Sequence, residues 1–411
     1  MKTKILLINI LMVSCFFVRA QTLDALLQKA YDNNPELKAL QLEYEAAMQV
    51  GPQQSQLPNP TLGIGIPILP VETRLGSQRL MVSASQMFPW FGTLKSREDV
   101  VLSMAKSKYE RVADERLDID FQIKTAYYNL YLLQEQQAII RENIRIFETI
   151  QNVALAKVES GKSIASDVLT VQIKIEELNQ QIQILEQQKH GFSAVINAAV
   201  NNPIDNTIQV DSGKIDFAVL TLDTETIQQK IQSNHPLIKQ LDWKIEASNQ
   251  AIALNTLEGI PSFGLGLDYS MVSARTDASP LNNGRDILIP RLMVSIPISR
   301  KKYNAKEEEE KLKQQAFSYQ QDNLTNKMMS QIQGYKSEYE SAKLMYDLVN
   351  RQMDLSNSAY EILLVEYSNK GTRFDELMKL QSDLNRYRME NINAIVKSHL
   401  AKFKIERLTD Y

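Results

Sequence analysis

The sequence predicts a mainly α-helical protein with a membrane β-barrel part, built from long antiparallel coiled-coil helices and four strands per chain. Three observations predict it. Two stretches of about seventy residues are nearly free of glycine and proline and carry a coiled-coil seam. Four short segments alternate apolar and small or polar residues. The whole pattern is written twice along 411 residues, which makes two internal structural repeats.

The N-terminal segment reads as an address. Lys2 and Lys4 precede an apolar run from Ile5 to Phe17, and Val18-Arg19-Ala20 offers a small-residue cleavage site. Residues 1–20 are therefore expected to be a secretory signal peptide, too short to span a membrane. Cys15 is the single cysteine. It is either an acylated lipoprotein cysteine or is discarded by cleavage after Ala20, and in the second case no disulfide or thiol chemistry is left. Removing Lys2, Lys4 and Arg19 takes Lys plus Arg from 46 to 43 against 49 acids, a net charge of −6. No basic stripe stands out, so nucleic acid is not an expected partner. No second apolar run reaches the length of a membrane helix, so an exported chain of this kind is either soluble or enters the membrane as strands.

The duplication follows from four matches in the same order. Asn34-Pro35 corresponds to His235-Pro236, and Pro60-Thr61-Leu62-Gly63 corresponds to Pro261-Ser262-Phe263-Gly264. Leu80-Met81-Val82-Ser83 recurs at Leu292-Met293-Val294-Ser295, and Gly161 and Gln172 pair with Gly371 and Gln381. The organisation expected is residues 21–60 and 201–261 as equatorial connecting helices and loops, and 61–91 and 262–298 as membrane strand pairs. Residues 92–200 and 299–408 are the long helices, with tips near 161 and 371.

Each long helix carries apolar residues at alternating three- and four-residue steps. One seam is Met328, Ile332, Tyr335, Tyr339, Ala342, Tyr346, Val349 and Met353; the return helix of the first half repeats it from Ile164 to Leu185. From Thr93 to Ser160 an unbroken helix would reach roughly 100 Å at 1.5 Å per residue. Leu130, Tyr131 and Leu133 lie off a single seam and imply neighbours on two sides, as in a closed ring of helices. An antiparallel coiled-coil hairpin in solution explains the seam equally well.

The strands separate these readings. Leu62, Ile64, Ile66 and Ile68 alternate with Thr61, Gly63, Gly65 and Pro67, and Phe263, Leu265, Leu267, Tyr269 and Met271 alternate with Ser262, Gly264, Gly266, Asp268 and Ser270. Leu292, Val294, Ile296 and Ile298 alternate with Arg291, Met293, Ser295 and Pro297; Leu80 to Phe88 alternates less cleanly, with Gln86 on the apolar face. The small and polar set suits a water-filled lumen, and segments of about nine to eleven residues suit a tilted membrane crossing. Trp90, Phe91, Phe263 and Tyr269 are candidates for aromatic girdles at its rims. Four strands cannot close around a lumen, and lipid tolerates no open edge, so several copies must complete the barrel. Pro89 and Pro297 are expected at the strand-to-helix junctions, and the loops 69–78 and 273–290 to point outward.

The duplicated order, the strand pairs and the glycine turns resemble the TolC-type outer-membrane efflux proteins. The most specific parts are Ser160-Gly161-Lys162-Ser163 through Asp167-Val168-Leu169 with Gln172, and Lys370-Gly371-Thr372-Arg373 through Glu376-Leu377 with Gln381. The resemblance covers nearly all of the chain after residue 20. It implies a homotrimer with a 12-stranded β-barrel on a trimeric α-barrel tunnel, in the outer membrane and in contact with its lipid. It implies an exit channel of a tripartite pump that passively conducts drugs, heavy-metal ions or secreted substrates. Its partners would be a periplasmic adaptor, docked at the tips, and through it an inner-membrane pump. Carried over by position, Arg373 would be a latch residue, with Asp375 or Glu376 in an acidic ring. Gly371 stands five residues from Glu376 whereas Gly161 stands six from Asp167, so one tip departs from the other. The alternative is a soluble periplasmic coiled-coil scaffold or adaptor.

No constellation for catalysis or a cofactor is found. His190, His235 and His399 are scattered without carboxylates at ligand spacing, which argues against zinc. Ser103-Met104-Ala105-Lys106 has the form of a serine–lysine motif but sits in a long amphipathic helix without companion motifs. The Gly-x-Gly pairs lack a third glycine and fall within strands, so they are not phosphate loops. Glu307 to Glu310 reads as a solvated helix face, and the fourteen methionines form no thioether cluster along the sequence.

Overall fold

A computed structural model describes residues 22–69, 71–221, 223–370 and 372–409. The expected signal peptide, Cys15 and the tip glycine Gly371 lie outside the described residues. The chain runs α1 (Leu23–Asn33), α2 (Pro35–Met48), α3 (Val50–Gln54), β1 (Thr61–Gly65), β2 (Glu72–Thr73), β3 (Gly76–Phe88), α4 (Thr93–Glu159) and α5 (Ala165–Ala199). It continues with α6 (Thr224–Asn234), α7 (Pro236–Glu258), β4 (Ser262–Val272), β5 (Ile287–Ser295), α8 (Lys301–Lys370) and α9 (Phe374–Thr409). Among the described residues no helix is long and apolar enough to cross a membrane.

Caps set the short helices. Thr22 accepts a 3.3 Å bond from the amide of Ala25 at the start of α1, and Asp223 accepts one of 3.2 Å from Thr226 at the start of α6. Asn34 and His235 close α1 and α6 with the same extended backbone, each amide donating four residues back. Pro35 and Pro236 then occupy the first position of the next helix, where a missing N–H costs nothing.

The chain divides into two compact units. Among the described residues, the first comprises those up to Lys38, those between Asp114 and His235, and those from Thr325 onward. Its core is the expected seam: Met328, Ile332, Tyr339, Ala342 and Val349 on α8 are buried, as are Val171, Ile175, Leu178 and Leu185 on α5. Ile164 departs from the seam, since it stands outside α5 as its cap residue and is 67% exposed. Leu130, Tyr131 and Leu133 are all buried. The unstructured connection before α6 is strapped to the helices by side chains: Tyr127 and Tyr131 hydroxyls accept from the amides of Asp211 and Ile215, and Tyr339 donates to the Ala218 carbonyl at 2.7 Å.

The second unit comprises Ala39–Ala113 and Pro236–Leu324 and holds the sheet. The strand order is β1-β3-β4-β5, antiparallel throughout, with β2 paired to the start of β3. The expected strand limits need correction. β1 stops at Gly65, and the expected loop 69–78 contains β2 and the start of β3. β5 begins at Ile287, inside the expected loop 273–290, and ends before Ile296 and Ile298. Pro290 lies in β5, which pairs with one strand only within the chain, and its missing N–H costs at most one ladder bond. The run Glu307–Glu310 is not uniformly solvated either. Glu310 is buried between Lys306 and Lys313, at 2.8 and 2.9 Å. Two cations offset the desolvation of one carboxylate, and its pKa falls below the ordinary glutamate value.

Candidate functional site: helix tips and sheet faces

In the first unit the two helix tips are built differently from similar sequence. α4 ends in a Schellman turn. The Lys162 amide donates to the Lys157 carbonyl at 2.8 Å, and the Gly161 amide donates to Val158 at 3.0 Å. Gly161 carries a φ of 71°, and a Cβ there would meet nothing within 4 Å, so glycine is required by the backbone and not by space. The Ser163 hydroxyl donates to the Asp167 carboxylate in the first turn of α5, where a negative charge also faces the helix dipole. Lys162 is exposed beside them.

The second tip joins α8, ending at Lys370, to α9. Thr372 is exposed, and Arg373 adopts φ 64° without being glycine. That conformation costs on the order of 1–2 kcal/mol, and the side chain shows what it gains. Its Nε donates 3.0 Å to Glu376, whose second carboxylate oxygen takes another bond from Nη2, and Nη1 donates 3.2 Å to Glu366 on α8. The guanidinium holds the Glu376 carboxyl below its usual range, and the two carboxylates raise the pKa of Arg373. Asp375 and Glu376 both lie in the first turn of α9, complementing its dipole.

Beneath these polar links lies one core. Tyr367 and Leu377 are fully buried, Phe374 nearly so, and the Tyr367 and Phe374 rings stand 5.4 Å apart. They cluster with Phe147 and Ile150 of α4 and Val171 and Ile175 of α5, so the two tips are brought together by apolar packing. Burial pushes the Tyr367 phenol above its ordinary pKa, and the Lys157 ammonium sits 5.8 Å from its ring. Further along, Gln151 donates 2.7 Å to Gln172 between α4 and α5, and Gln381 donates 2.6 Å to Asn143 between α9 and α4. Glu366, Tyr367, Phe374 and Lys157 were not singled out from sequence. Tyr367 continues the heptad step from Tyr360 and could have been found that way, whereas the reach of Arg373 back to Glu366 follows from no local pattern.

In the second unit the sheet has two unlike faces. Register places Leu62, Ile64, Val82, Ala84, Leu265, Leu267, Leu292 and Val294 on one side. Most of this face is open: Ile64 is 76%, Leu265 59% and Leu292 73% exposed. The other face carries Thr61, Gly63, Ser83, Ser85, Gly266 and Ser270, and across it Arg291 pairs with Asp268 at 2.8 Å. Gln86 lies on the apolar face and turns its amide to the Pro58 and Met87 carbonyls. Pro89 follows β3 directly and leads into α4 through Gly92, at φ 86°; Pro297 stands between β5 and α8. Both prolines line a cavity of about 690 Å³ with Met87, Trp90, Leu257 and Tyr303. Trp90 packs on Phe263 at 5.8 Å and on Phe91 at 6.1 Å. Among the described residues no group of three or more His, Asp or Glu is placed to hold a metal ion.

Long helices that share a tip core, and an antiparallel sheet whose apolar face is bare, are the features that can be compared with known proteins. Residues 26–201 match the family described as outer membrane efflux protein. Its fold is similar to that of CusC at a TM-score of 0.73 and 15% identity, over 96% of this chain and 93% of that one. It is similar to the outer-membrane channel OprN at 0.72 and 14%, covering 94% and 89% of the two chains. The outer membrane protein VceC of Vibrio cholerae gives 0.68 and 12%, with 94% and 95% covered. No curated protein sequence matches the chain.

Proposed function

We propose that three copies of this chain form a passive exit duct in the outer membrane, with twelve strands in the barrel and the long helices lining a periplasmic tunnel. The observation that carries this reading is the sheet. An exposed face of Leu, Ile and Val with a Ser, Gly and Asp–Arg face behind it is the arrangement a lipid-facing, water-filled barrel needs. β1 and β5 are open edges, which lipid does not tolerate, so each pairs with a neighbouring copy.

The helices supply a second support. α5 leaves Leu169, Ile173 and Ile184 exposed, and α8 leaves Leu344, Leu348, Leu355 and Ile362 exposed. The two helices run in opposite directions from the tips. Counted from its tip, the α5 stripe runs from about one to five turns and the α8 stripe from about two to seven, so α5 of one copy meets α8 of the next over the shared stretch. The tips, with Gly161, Lys162 and Ser163 on one and Lys370, Gly371 and Thr372 on the other, then dock a periplasmic adaptor that links the duct to an inner-membrane pump. Arg373, tied to Glu366 and Glu376, latches the resting tip, and Asp375 and Asp167 stand nearby as acidic groups around the axis. The duct performs no catalysis, and the choice of drug, metal ion or secreted substrate belongs to the pump.

Membrane fractionation tests the reading, with the purified protein run unheated on a denaturing gel. Outer-membrane recovery and a trimer band that collapses on heating are expected. A soluble periplasmic monomer would overturn the duct in favour of a coiled-coil scaffold.

A further inference from the structure

The methionines that look scattered in the sequence are not scattered on the sheet. Register sets Gly264 of β4 opposite Met87 of β3 on one side and Met293 of β5 on the other, so the three stand in a row on the polar face. A Cβ at Gly264 would fall on the sulfur of Met87 and 3.0 Å from the terminal methyl of Met293. The Met87 sulfur and the Met293 terminal methyl therefore lean over the same glycine, and only its missing side chain leaves room for both.

We propose that Met87 and Met293 form a two-thioether site for a soft monovalent ion of the Cu(I) or Ag(I) class. Thioethers select soft ions and leave Mg²⁺, Ca²⁺ and other hard cations in water. Apolar packing does not explain the placement, because a bare apolar face lies on the opposite side of the same strands. Around the pair the face carries Ser85, Ser262 and Ser295, and its charged couple, Asp268 with Arg291, is closed on itself at 2.8 Å. No carboxylate competes for the ion, and the described residues contain no thiolate. Both methionines are partly exposed, and Met87 borders the cavity at the strand-to-helix junction, so the sulfur is reachable. Two neutral ligands bind weakly, which suits transit. That the ion is met in transit rests on the duct reading; the site itself stands on the sheet of one chain.

The test is methionine footprinting of the purified full-length protein in detergent. Hydrogen peroxide oxidises thioethers to sulfoxides, and a bound Ag⁺ blocks the sulfur lone pair. With silver nitrate, oxidation of Met87 and Met293 is expected to slow together by about tenfold, while Met81, higher on the same face, is unaffected. Met293→Leu preserves volume and should abolish the protection of Met87. Equal oxidation with and without silver, or protection of Met87 that survives Met293→Leu, overturns the site. The unheated gel of the same preparation separates the two readings. A trimer without protection removes the metal site alone, and protection without a trimer leaves the site standing and removes the duct.

Discussion

Arg373 Nη1 lies 3.2 Å from Glu366 Oε2, so one guanidinium ties the helix that ends at Lys370 to the helix that begins at Phe374. The same group also clasps Glu376; Arg373 and Glu376 are solvent-exposed and Glu366 is partly so. Exposed ion pairs contribute little to stability, but a charge link across a turn fixes the angle at which two helices part. Its loss should therefore change gating more than folding.

The pH dependence follows from Glu376. Its carboxyl is held below the ordinary glutamate value of 4.5 chiefly by its bond to Arg373. A group whose folded pKa is lowered stabilises the fold above its unfolded pKa, and that contribution fades as pH falls through the lowered one. On the proposed latch reading, the Arg373–Glu376 link is intact at neutral pH and is lost as pH falls through the lowered Glu376 pKa. Single-channel conductance in planar bilayers should rise in that acidic range for the natural protein. In Arg373→Ala it should already be high at neutral pH, with only a small change in the melting of the trimer. Equal conductance of the two proteins at neutral pH would refute the latch.

Deeper in the same bundle, Gln381 donates to Asn143 at 2.6 Å with both side chains buried. Removing one partner leaves the other desolvated without its bond, which costs about 1–3 kcal/mol, whereas replacing both with apolar groups of similar size is close to neutral. Gln381→Leu should lower the trimer melting temperature, and Asn143→Leu with Gln381→Leu should recover most of the loss. A double variant as unstable as the sum of the single ones would show that the bond is not the unit of stability there.

The sheet face gives a third prediction. Leu265 lies on the exposed apolar side and Met81 on the polar side, both outward-reaching at 59% and 42% exposure. Arginine on a lipid-facing strand near the bilayer midplane costs about 2–4 kcal/mol, while a charge facing water costs little. Leu265→Arg should reduce outer-membrane recovery, and Met81→Lys should not. The reverse order would mean that the faces are assigned the wrong way round.

These contrasts show why some of the molecule was legible beforehand. Period-two alternation from Phe263 to Met271 names a strand and sorts its faces at once, and the heptad from Met328 to Val349 names the buried side of α8. β5 begins ahead of its alternating run because Pro290 reads as a stop in sequence, while a single missing N–H leaves the rest of the ladder in place. The turn between α4 and α5 is legible through Gly161, whose positive φ demands glycine. Glu366 and Tyr367 were missed because their partners, Arg373 and Phe147, lie across a turn or on another helix, and such pairings leave no mark on local spacing. The Met87 and Met293 pair is hidden for the same reason, since strand register and not sequence distance brings them to Gly264.

His235 supplies the last prediction. Its ring is buried in the first unit near Arg407, which is itself bound to Asp114 at 2.8 Å and to Asp118. Burial first, and the Arg407 charge second, push its pKa down to about 4, against 6.5 for an ordinary histidine. The folded protein therefore keeps this imidazole neutral while the unfolded chain takes up a proton. Because the unfolded state binds more protons, stability is complete above 6.5 and declines as pH falls towards 4. The shift corresponds to a loss of up to about 3 kcal/mol per chain across that window. Thermal melting of the trimer should drop steadily over that range. His235→Gln, which cannot titrate, should start from a lower melting temperature and flatten the profile. An unchanged pH profile in that variant would show that His235 is not the group behind the decline.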